Sequence, residues 1–201
     1  MRKIAILFFS LLSTSAIAQF ETTKESASFG VGQVVTLEKS NKFDLTGNAV
    51  KVGMAMPSIE LMTSDLKSYD TSYESSNVKI YSILTSVDTP VCVQQAVELS
   101  SYVKSNDNLN GIEFYALSAD TPFAQQRFIK ENDLDGVTYL SDSKEHQFGL
   151  ETGSLIKQLG LLARSIIVTD QNNKIIYFQR VPELTTIPDL EAAIKIAKSR
   201  L

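Results

Sequence analysis

The 201-residue sequence contains one cysteine, one histidine and no tryptophan. A single cysteine excludes an internal disulfide and a Cys-x-x-C redox pair, and one cysteine with one histidine offers too few soft ligands for a zinc or iron–sulfur centre. The sequence has neither a P-loop nor a Gly-x-Gly-x-x-Gly pattern, so nothing in it indicates nucleotide binding. We therefore predict no resident cofactor. His146 lies in a polar segment and is interpreted as a surface residue, with a catalytic role beside the cysteine as the alternative.

The N-terminal apolar run, residues 4–12, is too short to span a bilayer. It follows Arg2 and Lys3 and precedes Ala16-Ile17-Ala18, so residues 1–18 have the pattern of a secretory signal peptide cleaved after Ala18. Without the two basic residues of this segment, the mature chain keeps 17 basic and all 23 acidic residues, a formal charge of −6. This acidic balance gives no support for a nucleic acid or a membrane as partner. We expect an exported protein in the periplasm of a Gram-negative bacterium.

The mature chain is long enough for one domain with its own core, and it contains no repeat or low-complexity tract. Residues 19–46 are interpreted as a loose N-terminal arm and the start of a β-ribbon, and residues 47–201 as the main domain. The ribbon is expected from two apolar segments, residues 34–37 and 49–52, on either side of Thr46-Gly47-Asn48.

Strand-like and helix-like patterns alternate along the main domain, which predicts an α/β fold with a mixed sheet. We predict strands at residues 58–62, 78–84, 112–118, 137–140, 165–169 and 175–179. We predict helices at residues 91–104, 122–132, 143–148 and 188–200, and a loop at 155–164.

The sole cysteine, Cys92, lies directly after a helix-start signal. Thr89 is a typical N-cap residue, and Pro90 suits the first helical position because its missing N–H is not needed there. A thiol in the first turn lies near unpaired backbone N–H groups and the positive end of the helix dipole, which favour the thiolate. Burial as an inert hydrophobic side chain is the alternative, although an exported protein has little reason to keep an unpaired thiol.

Attack of a thiolate on a peroxide O–O bond moves charge onto both oxygens, so hydrogen bonds and a fixed cation would assist the reaction. The Thr89 hydroxyl, three residues before Cys92, is within reach of the sulfur region, while an ordinary N-cap role is an equally good interpretation. An arginine would supply the cation, but spacing alone leaves open which one.

Several ordered motifs resemble the thiol peroxidase branch of the peroxiredoxins, over the chain from about Gly47 to the C-terminus. They are SVDTPVC at 86–92, SADTPFAQQRF at 118–128, LSD at 140–142, GLLAR at 160–164 and TIPD at 186–189. The resemblance implies a thioredoxin-like fold with an N-terminal β-hairpin. It also implies that Cys92 is the peroxidatic cysteine, that Thr89 hydrogen-bonds the sulfur and the peroxide, and that Arg164 steadies the thiolate.

The chain departs from this family pattern at two positions. Ile129 stands where most members of the branch have a resolving cysteine, so an outside thiol, or Cys92 of another copy of the chain, must resolve an oxidised Cys92. Thr85 stands where the peroxiredoxin signature has a proline that helps to enclose the cysteine. The added hydroxyl would make the pocket wetter or supply another hydrogen bond to sulfur, and Thr85→Pro is expected to speed peroxide reduction if this residue is a defect.

These residues predict a single-cysteine, thiol-dependent peroxidase that reduces hydrogen peroxide or organic hydroperoxides. An external thiol, such as a periplasmic thioredoxin-fold protein or a small thiol, is the expected reductant, and the resemblance implies a homodimer. The alternatives are a redox sensor or binding protein that no longer turns over, and a structural domain in which Cys92 is inert.

Overall fold

The computed structural model describes residues 19–201, so the predicted signal peptide lies outside the described residues. None of the helices in this range is long and apolar enough to cross a membrane. The helices are α1 (Pro90–Lys104), α2 (Pro122–Glu131), α3 (Gln147–Thr152) and α4 (Leu190–Lys198). The strands are β1 (Thr22–Thr23), β2 (Val34–Leu37), β3 (Asn41–Thr46), β4 (Glu60–Thr63), β5 (Ser68–Asp70), β6 (Val78–Ile83), β7 (Ile112–Ser118), β8 (Thr138–Ser141), β9 (Leu155–Ile156), β10 (Leu161–Leu162), β11 (Ser165–Thr169), β12 (Ile175–Arg180) and β13 (Ile187–Pro188).

A seven-stranded mixed sheet in the order β12-β11-β6-β7-β8-β4-β5 forms the centre of the molecule. Strands β6, β7 and β8 are parallel, whereas β11 runs antiparallel to β6 and β4 runs antiparallel to β8. Every residue of β6 is buried, as its continuous apolar run predicts. Because successive side chains of a strand alternate between faces, Ile80 packs with Leu99 of α1, while Ile83 joins a cluster that contains Phe148 of α3 on the other face. This is the predicted mixed α/β architecture.

The N-terminal hairpin is present, but its second strand is not the predicted one. Strand β2 pairs with β3, and residues 49–52 form no strand. The turn residues Glu38 and Lys39 have φ angles of 53° and 61°, a region for which glycine or asparagine is the usual signal. The carboxylate of Glu183 accepts their backbone N–H groups at 3.0 and 2.9 Å. A residue distant in sequence therefore stabilises a turn that carries no local glycine signal.

Helix α3 begins four residues later than the predicted helix at 143–148. The carboxylate of Asp142 accepts the backbone N–H groups of Phe148 and Gly149 at 2.8 and 2.9 Å, which satisfies donors of the first turn. Burial raises the pKa of Asp142, while these two hydrogen bonds act in the opposite direction. The start of α3 is thus set by the side chain of Asp142, which lies six residues before Phe148.

Four short strands also differ from the sequence-based prediction. Strand β4 is offset by two residues from its predicted start, and β5 lies in a segment predicted only as polar. The predicted loop at 155–164 contains β9 and β10, which pair with each other. Strands of two or three residues are too short to show the alternation on which the prediction depends.

The N-terminal arm is bound to the body of the protein, whereas its polar composition predicts a loose segment. Strand β1 pairs in parallel with β13, and Gln94 of α1 binds both backbone groups of Phe20, at 2.7 and 3.2 Å. The Gln179 side chain donates to the carbonyl oxygens of Thr23 and Glu25. These contacts use the backbone of the arm, so its side chains give no sign of them. The division of the chain at residue 46 stays a prediction.

Candidate active site

Cys92 lies in the first turn of α1, directly after the loop that leaves β6. Its side chain is 0 % exposed, and its Sγ accepts a hydrogen bond from the Ser86 backbone N–H at 3.4 Å. The predicted strand, turn and helix are confirmed here, with Pro90 as the first residue of the helix. The turn brings the chain back on itself, so a backbone donor that precedes the helix points at the sulfur.

Thr89 occupies the N-cap position, but its side chain makes no capping hydrogen bond. Its hydroxyl donates to the Ser86 carbonyl at 3.1 Å, and no hydrogen bond joins this hydroxyl to the Cys92 sulfur among residues 19–201. At the start of α2, by contrast, Thr121 accepts from the backbone N–H of Ala124 in the ordinary way. With its hydrogen committed to a carbonyl, the Thr89 oxygen presents lone pairs to any other partner. It is therefore suited to accept a hydrogen bond, including one from a peroxide O–H.

Arg164 lies between β10 and β11 and is only 1 % exposed. Its Nη1 donates to Gln95 Oε1 at 2.7 Å, and its Nε donates to the Leu184 carbonyl at 3.2 Å. No carboxylate in the described part of the chain forms an ion pair with it. A buried guanidinium without a counter-charge is costly, so an anion bound nearby would be strongly favoured.

Gln95 is a site residue that the sequence interpretation missed. It lies one helical turn after Cys92, and its Nε2 donates to Ser82 Oγ at 2.8 Å while its Oε1 holds Arg164. No hydrogen bond runs directly from Arg164 to the Cys92 sulfur within residues 19–201, so Gln95 is the connection that the structure shows. The sequence did contain a signal for it. Gln95 is a polar residue between Cys92 and Leu99 on the buried face of α1, and a buried polar side chain usually has a hydrogen-bond partner.

Arg180, near the arm and the hairpin, is also a large buried cation, and its contacts differ from those of Arg164. It donates to the carbonyl oxygens of Ser28, Val34 and Val181 at 2.8 to 3.2 Å. Burial lowers the pKa of Arg180 to about 10. Since these partners are backbone groups of the arm, the hairpin and the residue that follows β12, Arg180 stabilises the fold, whereas Arg164 contacts the helix that carries Cys92.

The Cys92 side chain belongs to an apolar cluster between the sheet and the helices α1 and α2. The cluster consists of Leu84, Val87, Cys92, Ala96, Ala116, Phe128, Leu134 and Tyr139. The Tyr139 hydroxyl is buried and has no hydrogen-bond partner in the described residues, and burial raises the pKa of Tyr139. Because the sulfur is fully enclosed, a reactant as large as a thiol reaches it only if the start of α1 or the preceding loop moves.

The Thr85 hydroxyl is buried and makes no hydrogen bond in the part of the chain that the structure describes. The expectation that it supplies a further hydrogen bond to sulfur is therefore wrong. A buried hydroxyl without a partner is costly, whereas valine has nearly the same shape and no polar atom. We expect Thr85→Val to raise the free energy of unfolding by about 1 kcal/mol. Urea denaturation of the native protein and the variant measures this, and a destabilised variant would contradict it.

His146 precedes α3 and is half-buried, so it is less exposed than predicted. Its Nδ1 has no hydrogen-bond partner, and no hydrogen bond joins it to Cys92 among the described residues. Within residues 19–201, no group of three or more His, Cys, Asp or Glu side chains is arranged to hold a metal ion.

Comparison with known proteins identifies the family. The model of the Redoxin family matches residues 51–194, which include Cys92 and Arg164. The chain belongs to the redoxin family. The chain is 37 % identical over 157 residues to a thiol peroxidase of Staphylococcus saprophyticus, covering 78 % of this chain and 93 % of that protein. It is also 37 % identical over 161 residues to the thiol peroxidase of Bacillus subtilis, covering 80 % of this chain and 95 % of that protein.

A solved structure agrees with these relatives. The crystal structure of a peroxiredoxin-like protein from Aquifex aeolicus superimposes with a TM-score of 0.77 at 28 % identity, covering 86 % of this chain and 99 % of that one. This redoxin thus has the thioredoxin-like fold of the peroxiredoxins and is a thiol-dependent peroxidase of the thiol peroxidase branch. The absence of a resident cofactor stays a prediction.

Proposed function

We propose that this redoxin reduces hydrogen peroxide or organic hydroperoxides at Cys92 and that an external thiol completes each cycle. The observation that carries the proposal is the position of the Cys92 sulfur, in the first turn of α1 and facing the Ser86 N–H. A backbone donor fixed on sulfur stabilises negative charge there without any reorganisation during the reaction.

In the first step the Cys92 thiolate attacks one peroxide oxygen. The S–O bond forms as the O–O bond breaks, and the leaving alkoxide or hydroxide takes a proton to become alcohol or water. Thr89 accepts the hydrogen bond of the peroxide O–H, since its own hydrogen is held by the Ser86 carbonyl. Arg164 supplies positive charge to the thiolate and the leaving oxygen, oriented through Gln95.

In the second step an external thiol attacks the sulfenic acid of Cys92, water leaves, and a mixed disulfide forms. A second thiol then releases Cys92 as the product disulfide forms. The chain must use outside thiols because Ile129 occupies the place of the usual resolving cysteine. We place this cycle in the periplasm of a Gram-negative bacterium, in a homodimer reduced by a periplasmic thioredoxin-fold protein or a small thiol. The secretory pattern of residues 1–18 supports that location.

Replacement of Cys92 by serine is expected to abolish sustained peroxidase activity. Serine keeps the shape of the side chain but removes the nucleophilic thiolate. The measurement is steady-state consumption of cumene hydroperoxide with dithiothreitol as reductant. Native protein should turn over many times, and Cys92→Ser should match the uncatalysed background. Equal rates for the two proteins would refute the role of Cys92.

The lone cysteine also favours a redox sensor as a second candidate, because a sulfenic acid without an internal partner persists until a thiol arrives. The same measurement separates the two. A sensor consumes one peroxide per Cys92 and then stops, whereas a peroxidase continues as long as dithiothreitol is supplied.

A further inference from the structure

The loop that precedes Cys92 is tied to the neighbouring loop between β7 and α2 by one carboxylate. Asp120 Oδ1 accepts the Ser86 hydroxyl at 3.1 Å, and Asp120 Oδ2 accepts the Val87 backbone N–H at 2.8 Å. The backbone of Asp120 is itself held, since its carbonyl accepts the Ser141 hydroxyl at 2.6 Å. The carboxylate therefore binds two consecutive residues of the Cys92 loop from a fixed position.

This connection bears directly on the sulfur. Ser86, which Asp120 binds through its side chain, is the residue whose backbone N–H donates to Cys92 Sγ. A second contact of the Cys92 loop, the ion pair between Asp88 and Arg127 of α2 at 3.0 Å, has side chains that are 68 % and 54 % exposed. Exposed pairs of this kind contribute little. Besides the Thr89 hydroxyl, which donates to the Ser86 carbonyl at 3.1 Å, Asp120 is thus the main side-chain contact that holds Ser86 in place.

The charge of Asp120 works against the reaction. A carboxylate beside the start of α1 repels the negative charge that a thiolate brings to the same region. Its contribution is therefore geometric, and a neutral side chain of the same shape should replace it.

We propose that Asp120 is a positioning residue that latches the Cys92 loop. In the closed state both hydrogen bonds of Asp120 are formed. The Ser86 N–H then points at the sulfur, and Cys92 is enclosed for reaction with a small peroxide. In the open state these hydrogen bonds are broken, so the loop moves and an external thiol reaches the oxidised sulfur. The proposal rests on the assignment of Cys92 as the reacting cysteine. It adds that Asp120 sets the rate of peroxide oxidation against the access of the external thiol.

The test compares Asp120→Ala with Asp120→Asn in the full-length mature protein. The amide of asparagine still accepts the Val87 N–H and pairs with the Ser86 hydroxyl, whereas alanine makes neither bond. Two rates are measured with the reduced protein: single-turnover oxidation by hydrogen peroxide, which is small enough for the closed state, and alkylation of Cys92 by the larger iodoacetamide under native conditions. We expect Asp120→Ala to slow oxidation roughly tenfold and to speed alkylation roughly tenfold, the equivalent of one hydrogen bond. Asp120→Asn should restore both rates.

Asp189→Ala is the matched control, because Asp189 caps α4 by accepting the Ala192 N–H at 2.9 Å and makes no contact with the Cys92 loop. It should lower stability without changing either rate. Ser86→Ala, which removes one of the two latch bonds, should move both rates in the same directions by a smaller factor. A general loss of structure would also expose the buried Cys92 to alkylation and slow its oxidation. Free energies of unfolding are therefore measured in urea, and the latch requires that Asp120→Ala changes both rates while an equally destabilised Asp189→Ala does not.

Unchanged rates in Asp120→Ala, or an Asp120→Asn variant as impaired as the alanine variant, would overturn the latch. That failure is distinct from failure of the proposed function, which appears as equal rates of peroxide consumption by the native protein and Cys92→Ser. A Cys92-dependent peroxidase that is insensitive to Asp120 refutes the latch alone.

Discussion

Replacement of Arg164 with methionine is expected to slow oxidation of Cys92 by peroxide roughly a hundredfold, the usual effect of removing one preorganised group that stabilises transition-state charge. Arg164 is buried and has no carboxylate partner among residues 19–201, so its full charge is available to the thiolate and the leaving oxygen. Methionine fills a similar volume and carries no charge. The rate is measured by mixing reduced protein with cumene hydroperoxide in a single turnover.

The stability of Arg164→Met should change much less than its rate. Loss of the guanidinium leaves Gln95 Oε1 and the Leu184 carbonyl without a donor, at about 1–3 kcal/mol each, but it also removes a buried charge that lacks a partner. These effects oppose each other. Urea denaturation checks the free energy of unfolding, and a variant that is unfolded at zero urea would contradict this expectation.

Arg164→Lys is the control that keeps the positive charge but lacks the planar guanidinium group. Lysine keeps the positive charge but cannot hold both the Gln95 and Leu184 oxygens in the same geometry. We expect a rate between those of the native protein and Arg164→Met. A lysine variant as slow as methionine would show that orientation through Gln95 matters more than charge, and native rates in both variants would refute the role of Arg164.

Introduction of a cysteine at position 129 is expected to change how the oxidised enzyme is resolved. Ile129 of α2 packs against the apolar cluster that contains Cys92, so we expect a thiol there to reach the sulfenic acid when the start of α1 moves. An intramolecular thiol acts at an effective concentration in the millimolar range or above, which exceeds that of any dilute external thiol. After one equivalent of hydrogen peroxide, Ile129→Cys should lose both free thiols and gain one internal disulfide.

Thiol titration and the mass of the oxidised protein measure this outcome. Lys130→Cys is the matched control, since the next residue of α2 is exposed and does not belong to the cluster. It should keep its introduced thiol free while Cys92 is oxidised. Recovery of one free thiol and one sulfenic acid from oxidised Ile129→Cys would contradict the expected proximity.

The elements around Cys92 were predictable because their signals are local. A buried apolar strand, a Thr-Pro helix start and an amphipathic final helix each depend on residues adjacent in sequence, and β6, α1 and α4 lie close to their predicted places. The single cysteine and the spacing of the family motifs likewise indicated a peroxidase before any contact was known.

The contacts that orient the site were not predictable, because they join residues far apart in the chain. Gln95 meets Arg164 across 69 positions, and Asp120 meets Ser86 across 34. The sequence left the Thr89 hydroxyl either as a helix cap or as a hydrogen-bonding group for the sulfur region, whereas the folded loop brings the Ser86 carbonyl close enough to take its hydrogen. Local pattern specifies which segments form helices and strands, but only the packed structure decides which polar groups meet.

The sequence by itself determined that this protein has one possible redox centre, Cys92, at the start of a helix, and that no second thiol within the chain can resolve it. The tertiary structure alone decided that this sulfur is fully buried, that the Ser86 N–H faces it, and that Arg164 reaches its helix through Gln95. The physical reason is that chemical identity is carried by single residues, whereas orientation and burial arise only when distant segments exclude water together.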